Sequence, residues 1–539
     1  MKILLINPPQ TLIYPQIPQV AIPLGLAYIG ASLKENGYNV EIFDAFASNV
    51  TNATFLNDRM YRYGETWDRI KNKIKKTSPD IVGISDLFIT QSPNAHKIAE
   101  LVKDVDPDIL TVLGGPYCTS DPLISIKDAK IDFIILGEGE YRFPQLVKSI
   151  NENKQPDFDG LVYRKKPGGV HLSPPKETIN DLDKLPFPAF DLLELNDYFR
   201  ATGLGKTKFK VLGQYINLTS RQASRYKWMT MITSRGCPFN CIFCVIPTIW
   251  GKRWRARSAD NIMEEILLLT SKYGIKEIQF EDDNLTYDRK RIEKILDALN
   301  KEKLDLIWST PNGVRVDTLD TDLLKKIKQS GCRELVIGVE SGDQKVLDTL
   351  IHKKIDLSLV EQIAKLCKDI DLKLSAFYVF GLPGETKENI QTTLDFARKL
   401  WNKYSVSIYY NYAIPLHGSK LFDKCMNEDL FSGEITPENY LRADNFYCAE
   451  PMIQTKDFTP RQLTKWVKKA SQSIKLEEYH GINRVGFYFG ALEKLIGSMI
   501  LKFNLKLHLR IRNLREALRI KFTTNRLSHF PNKDFKKHF

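Results

Sequence analysis

What most constrains the fold of this 539-residue chain is an alternation of short Val/Ile/Leu runs with helical stretches, met twice along its length. The first series runs through strand 2–7 (KILLIN), helix 25–37 ending at Gly37, strand 39–44 (NVEIFD), strand 79–85 (PDIVGIS) and helix 94–105. The apolar runs 109–115 (ILTVLGG) and 132–140 (DFIILGEGE) complete it. Strands that are apolar at nearly every position are buried on both faces, and with helices between them they predict a doubly wound parallel sheet. Such sheets bind ligands outside the carboxyl ends of their strands. Those ends carry Asn7-Pro8-Pro9, Ser85 in SDLF, Gly114-Gly115-Pro116 and Gly137-Glu138 in GEGE. Glycine there lets backbone approach a flat or phosphorylated ligand, and it equally well makes a tight turn.

Residues 151–225 read as a connector, interrupted by KKPGG (165–169) and LPFPAFDLL (185–193). Alternation then resumes with strands 229–234, 276–282, 304–310, 334–341, 373–385 and 405–415, and with helices 260–272, 288–300, 321–329, 343–369 and 388–401 between them. Six strand–helix units predict a partial (βα)6 barrel of TIM type, with its site at the carboxyl ends of the strands. The expected fold is therefore α/β: a Rossmann-like domain over 1–150, a connector over 151–225, a barrel over 226–425 and a mainly helical region over 426–539.

The apolar fraction is 43 %, enough for sizeable cores. Eight cysteines in a chain this long are no secreted disulfide framework. The start, MKILLINPPQ, lacks the pattern of a signal peptide, and no run approaches the ~18 apolar residues of a spanning helix. A cytoplasmic protein is expected, in which thiols stay reduced and can hold metal.

Three of those cysteines, Cys237, Cys241 and Cys244, fall within SRGCPFNCIFC (234–244). Structural zinc takes four ligands, commonly as two CxxC pairs, and no second close pair exists. Cys332, Cys367, Cys425 and Cys448 stand apart and read as small buried apolar residues. Three close thiolates suit a [4Fe–4S] cluster with one iron left open, which is a catalytic position. Gly236 and Pro238 shape the loop so that its sulfurs converge.

CxxxCxxC with an aromatic, here Phe243, before its last cysteine resembles the signature of radical S-adenosylmethionine enzymes. RWRARSADNIMEEI (253–266), FEDDNLT (280–286), GVESG (338–342) and FGLPGET (380–386) stand in that family's order. The N-terminal half, with PLGLAYIGASLKENGYNVEIFDA, VGIS, GGP and GEGE, resembles the cobalamin-binding domain of one large subgroup. The resemblance covers roughly residues 1–420. It implies that Cys237, Cys241 and Cys244 bind three irons, while the amino and carboxylate groups of S-adenosylmethionine take the fourth. Reductive cleavage then makes a 5′-deoxyadenosyl radical that abstracts hydrogen from an unactivated carbon. The resemblance places Phe243 beside the adenine, and Glu281, Asp282 and Asp283 at the methionyl amine or ribose. Glu340 and Ser341 fall where a polar contact to this cofactor is usual. Asp282 and Asp283 have a second reading, as an N-cap cluster for helix 288–300. Arg315 reads either as an anion clamp or as a surface ion pair. On the first domain the resemblance implies cobalamin contacts at Asn7, Pro8, Ser85, Gly114, Gly115, Gly137 and Glu138.

Two departures stand out. The DxHxxG motif that supplies a histidine to cobalt is absent, and Tyr117-Cys118 follows GGP where His is frequent. Pairing the two cofactors implies C-methylation at an sp³ carbon of a lipid or other hydrophobic metabolite. The alternative is radical ring closure without methyl transfer, as in anaerobic porphyrin or lipid cyclisation. RNA methylthiolation requires a further N-terminal cysteine cluster, and only Cys118 lies there; a cobalamin sensor would have no use for the triad. A flavodoxin- or ferredoxin-type electron donor is the expected partner, and nucleic acid is not.

The net charge of +13 is concentrated at the C-terminus: residues 502–539 hold eleven Lys/Arg against two Asp/Glu. Leu492, Leu495, Ile496, Met499 and Ile500 recur at helical spacing upstream. This pattern fits either an interfacial helix on an anionic membrane, with a peripheral location on its inner face, or a helix packed on the barrel.

Overall fold

The computed structural model describes residues 1–13, 16, 18–57, 59–165, 167–201, 209–211, 214–216, 226–444 and 449–478. Five parallel strands form the heart of the first sheet, in the order Asn39–Asp44, Lys2–Asn7, Ile81–Ser85, Leu110–Gly114, Phe133–Ile135. The chain reverses direction across the sheet between Lys2–Asn7 and Ile81–Ser85. In doubly wound sheets the ligand crevice opens at that reversal, here between Asn7 and Ser85.

Alternate side chains feed two separate cores, as the strand period of two requires. Leu4, Ile6, Val82, Ile84 and Leu113 pack beneath helices Trp67–Thr77 and Ser92–Val105. Ile3, Leu5, Ile81, Val112 and Ile135 pack beneath Leu24–Glu35 and Gly139–Asn151 on the other face.

Two elements differ from the sequence reading. Leu161–Arg164 and Val170–Leu172, inside the expected connector, extend the first sheet as antiparallel edge strands. A small antiparallel sheet of Gln10–Ile13, Met60–Tyr63 and Ala53–Asn57 sits in the N-terminal half. Strands of three to five residues hold too few alternate positions for a period to register.

Six parallel strands form the second sheet in chain order: Trp228–Met231, Glu277–Phe280, Ile307–Ser309, Cys332–Glu340, Lys373–Phe380 and Ser407–Tyr412. Its helices start on side-chain caps. Ser258 accepts from Asn261 N for helix Ala259–Tyr273, and Thr386 forms a capping box with Asn389 for Lys387–Tyr404. Cys332, Cys367 and Cys425 are buried, as expected; Cys448 lies outside the described residues.

Among the described residues, one compact unit holds both sheets, and residues 209–211, 214–216 and 467–478 fall in a second. The C-terminal region is helical where described, at Lys420–Asn427, Pro437–Ala443 and Pro460–Glu478. The basic segment 486–539 lies outside the described residues. Among those described, no helix is long and apolar enough to cross a membrane.

Candidate active site

The cysteine loop hangs from a two-residue ladder. Ser234–Arg235 pairs antiparallel with Arg255–Ala256, and Arg235 stands opposite Arg255, so residues 236–254 leave and return at one place. Gly236 is required at the exit: its φ is +86°, and a Cβ would lie 2.4 Å from Arg253 O. Ile242 N donates to Ile351 O at 3.1 Å and Leu421 N to Ile242 O at 2.9 Å, which pins the middle of the loop. Cys237, Cys241 and Cys244 are free and partly exposed, and Phe243 is partly exposed between the last two.

Burial raises all three thiols, Cys244 to about 12, while Arg315 and Lys353 act in the opposite sense on Cys237 and Cys241. Thiols raised in this way are protonated near neutral pH, so loading with metal would release protons. Among the described residues no three His, Cys, Asp or Glu side chains form a chelate for a single ion. A cluster bound by one thiolate per iron asks for three separate donors, and the donor set fits that. Arg315 is buried rather than on the surface. It forks onto Asp317 at 2.9 and 2.6 Å and lies 3.6 Å from the centre of the Phe239 ring.

At the carboxyl end of Glu277–Phe280 three acidic residues play different parts. Asp282 is buried and accepts from Thr233 N (3.1 Å), Thr233 Oγ1 (2.6 Å) and Ser234 Oγ (2.5 Å). Arg291 grips the same turn, donating to Thr233 O and Oγ1 at 2.8 and 2.6 Å. Asp282 therefore holds the stem of the cysteine loop. The N-cap reading of Asp282 and Asp283 is corrected: the helix Arg289–Glu302 is capped by Asp288. Glu281 and Asp283 are pushed up to about 7, chiefly by burial and then, partly offset at Glu281 by an Asn312 hydrogen bond, by the charge of Asp282. Two desolvated carboxyls with no ion pair among the described residues fit a ligand that brings a positive charge, such as a methionyl amine. Asn284, two residues beyond Asp282, is buried with neither amide atom hydrogen-bonded. Nothing in FEDDNLT (280–286) sets Asn284 apart from its acidic neighbours.

A carboxyl raised to about 7 binds its proton in the folded state from the unfolded value near ~4 upward, so stability falls as pH rises through that window. The apoprotein variant Asp283→Asn should escape part of this fall, melting roughly 1–2 °C above the parent at pH 8 and level with it near pH 4. Its affinity for S-adenosylmethionine should drop about tenfold or more, as one charge-assisted contact is lost. Melting curves across pH and calorimetric titration check both. A variant that binds normally would remove Asp283 from the site.

The fourth strand ends in a bulge between Gly338 and Glu340. Glu340 takes φ +67°, costly for a residue with a Cβ, and its Oε1 accepts from buried Lys353 Nζ at 2.9 Å. A Cβ at residue 338 would come 2.5 Å from Glu340 Oε1, so glycine leaves room for the pair. Both charges act on the Cys241 thiol. Ser341 is fully buried and committed: its Oγ lies 2.9 Å from Thr393 Oγ1 and accepts from Asp343 N. That leaves its side chain to the protein rather than to a cofactor. Tyr378 buries a hydroxyl with no partner facing the charge of Glu340.

On the first sheet Asn7 donates to Asp44 Oδ1 at 3.0 Å, and Pro8 and Ser85 are buried. Gly115 is fixed by packing, since with φ +137° a Cβ would meet Asp86 O at 2.5 Å. Gly114 is open: a Cβ there would find only Ile135 O, 3.9 Å away. A cradle that lacks a side chain fits a flat ligand over the carboxyl edge. A Cβ at Gly137 would lie 3.8 Å from Ile249 O, so this edge borders the far side of the cysteine loop. Glu138, expected at the ligand, turns instead toward the barrel, where Arg235 and Arg255 hold its carboxylate. Two further buried polar residues, Asp86 and His417, carry no sequence signal. Asp86 is wholly buried, has one oxygen without a partner and is pushed up to about 7 by burial. His417 Nδ1 pairs with Asp121 at 2.9 Å while Nε2 is buried without a partner.

Residues 231–397 match the radical SAM superfamily and residues 12–147 the B12 binding domain. Cytidylyl-2-hydroxyethylphosphonate methyltransferase of Streptomyces wedmorensis is 31% identical over 469 residues, covering 82% of this chain and 84% of that protein. The chain belongs to the cobalamin-dependent radical S-adenosylmethionine enzymes. The chain is also similar to the anaerobic magnesium-protoporphyrin IX monomethyl ester cyclase of Rubrivivax gelatinosus, which is 27% identical over 88% of this chain and 83% of that protein. The structure of TsrM, a radical S-adenosylmethionine methyltransferase from Kitasatospora setae with cobalamin and a [4Fe–4S] cluster bound, has the same fold. It aligns with a TM-score of 0.62 at 16% identity over 86% of this chain and 84% of that one. As a cobalamin-dependent radical S-adenosylmethionine enzyme the chain uses a [4Fe–4S] cluster, S-adenosylmethionine and cobalamin. Held by Cys237, Cys241 and Cys244, the cluster would supply the electron for cleavage of S-adenosylmethionine, and cobalamin at the first sheet's carboxyl edge would supply alkyl-group chemistry.

Proposed function

We propose that the enzyme methylates an unactivated carbon of a hydrophobic small molecule, using S-adenosylmethionine both as hydrogen-abstracting oxidant and as methyl source. The observation that carries this reading is the meeting of the two cofactor edges. Helix Pro116–Ser120, after the open Gly114, packs against helix Ile246–Ile249, which directly follows Cys244. Thr248 Oγ1 donates to Gly418 O at 2.8 Å and closes the same corner. A methyl carrier and a radical source have to reach one substrate carbon, and this junction brings their domains to one place. The likeness to a methyltransferase along four-fifths of the chain agrees with it.

In the site, Glu281 and Asp283 hold the amine of S-adenosylmethionine, Asn284 offers its free amide, and Glu340 with Lys353 sets the charge beside Cys241. An external flavodoxin- or ferredoxin-type protein delivers the electrons. Ring closure is the second reading, favoured by the likeness to the cyclase. The two differ in their nucleoside products. With anaerobic extract as the substrate source, methylation yields 5′-deoxyadenosine and S-adenosylhomocysteine in equal amounts, whereas cyclisation yields 5′-deoxyadenosine alone. Chromatography of both nucleosides against time decides between them.

A lipid as the hydrophobic substrate rests on the basic segment 486–539. Each Lys or Arg near an anionic surface contributes about 1 kcal/mol, within a screening length of ~10 Å at 0.1 M salt. Removing residues 486–539 should abolish sedimentation with phosphatidylserine vesicles and leave cleavage of S-adenosylmethionine intact. Equal sedimentation with and without the segment would take away the reason to prefer a lipid.

A further inference from the structure

We infer that Glu138, assisted by Glu140, is a positioning residue through which the cobalamin domain sets the place of the cluster loop. Glu138 Oε1 accepts from Arg235 Nη1 at 2.8 Å and from Arg255 Nη1 at 2.9 Å. Its Oε2 accepts from Arg255 Nη1 at 2.9 Å and from Ile179 N at 2.8 Å. Glu140 Oε1 takes the other arm of Arg235, Nη2, at 2.5 Å. All four charged residues are at most 4 % exposed.

The chemistry of this quartet is balanced, with two carboxylates against two guanidinium groups. Arg235 is further held between aromatic rings, 4.8 Å from the centre of Trp250 and 5.4 Å from that of Tyr28. Arg255 also donates to Ile179 O at 2.6 Å and Trp250 O at 3.0 Å. Position explains why these contacts matter. Arg235 and Arg255 face each other across the ladder from which residues 236–254 hang, and Arg235 lies two residues before Cys237. A single carboxylate of the first domain thus grips both ends of the loop that carries the three thiols. Glu138 stands directly after Gly137, on the ligand-facing edge of that domain. A shift of the edge moves the loop with it, because these buried charges cannot part without losing the counter-ions that hold them.

The inference holds for methylation and for ring closure alike, since it concerns the distance between two cofactors. Its test uses the full chain, reconstituted anaerobically with iron, sulfide and hydroxocobalamin. Glu138→Gln should keep about four irons per chain and its bound cobalamin. The electron paramagnetic resonance signal of its reduced cluster should broaden into several forms, and its response to S-adenosylmethionine should weaken. Formation of 5′-deoxyadenosine should fall on the order of 10–100-fold, the scale expected from a misplacement of about 1 Å. Glu140→Asp, which keeps the charge and shortens one arm, should give a milder form of the same changes. If Glu138→Gln fails to fold, the charge-balanced pair Glu138→Gln with Arg255→Met carries the test, and the same spectral heterogeneity is expected. An unchanged signal and rate in folded variants would overturn the inference. So would loss of cobalamin with a normal cluster signal, which would return Glu138 to the ligand.

Discussion

Cys241→Ala should abolish both the absorbance at ~400 nm that marks an iron–sulfur cluster and the cleavage of S-adenosylmethionine, and should leave the fold intact. The thiol sits on a partly exposed loop, and the contacts that pin the loop are backbone ones: Ile242 N to Ile351 O, Leu421 N to Ile242 O and Cys244 N to Cys241 O. Removing one sulfur breaks none of them, so stability should change by less than about 1 kcal/mol. Two thiolates cannot hold a cluster that needs three. Iron and sulfide analysis should fall from about four of each per chain toward zero, and 5′-deoxyadenosine should fall to background. Retained cleavage in this variant would remove the cluster from the triad.

Asp282→Ala acts in the opposite way, through the fold. It strips the acceptor from two buried groups, Thr233 N and Ser234 Oγ, and takes one acceptor from Thr233 Oγ1. Leaving buried donors unsatisfied costs about 1–3 kcal/mol each, so a loss of about 3–5 kcal/mol is expected. The damage falls on the turn that leads into the cysteine loop, so iron content should drop together with the melting temperature. Asp282→Asn keeps the size and one acceptor oxygen and should lose about half as much. A normal melt with a selective loss of S-adenosylmethionine affinity would instead make Asp282 a cofactor contact.

Much of this architecture is legible in the sequence, for physical reasons. Strands buried on both faces leave long Val/Ile/Leu runs, so KILLIN and PDIVGIS announce a parallel sheet before any contact is known. The triad is legible because its spacing is local. The roles of acidic residues are not: GEGE and EDDNLT read as ligand contacts, and spacing cannot tell whether a carboxylate faces a ligand or an arginine 97 residues away. Glu138 turned out to face Arg235, and Asp282 to face Thr233 and Ser234. The short edge strands at 161–172 and the small sheet around Met60–Tyr63 were hidden for a different reason, since too few residues alternate in each. Asp86 and His417 were invisible because their interest lies in an unpaired atom, which only tertiary packing creates.

The domain boundary also changes in meaning. A fragment ending at residue 150 would lose the strands Leu161–Arg164 and Val170–Leu172 and leave Glu138 and Glu140 without Arg235 and Arg255. Breaking such buried pairs is strongly destabilising, so cobalamin binding is better measured on the whole chain.

The most direct measurement feeds cells expressing either the parent chain or Cys241→Ala with methionine whose methyl group is fully deuterated, and compares their metabolites by mass spectrometry. Methylation at carbon predicts a compound found only with the parent chain and carrying the intact trideuteromethyl group on a carbon. A parent-specific compound that carries no label and has lost hydrogen would contradict methylation and establish ring closure in its place.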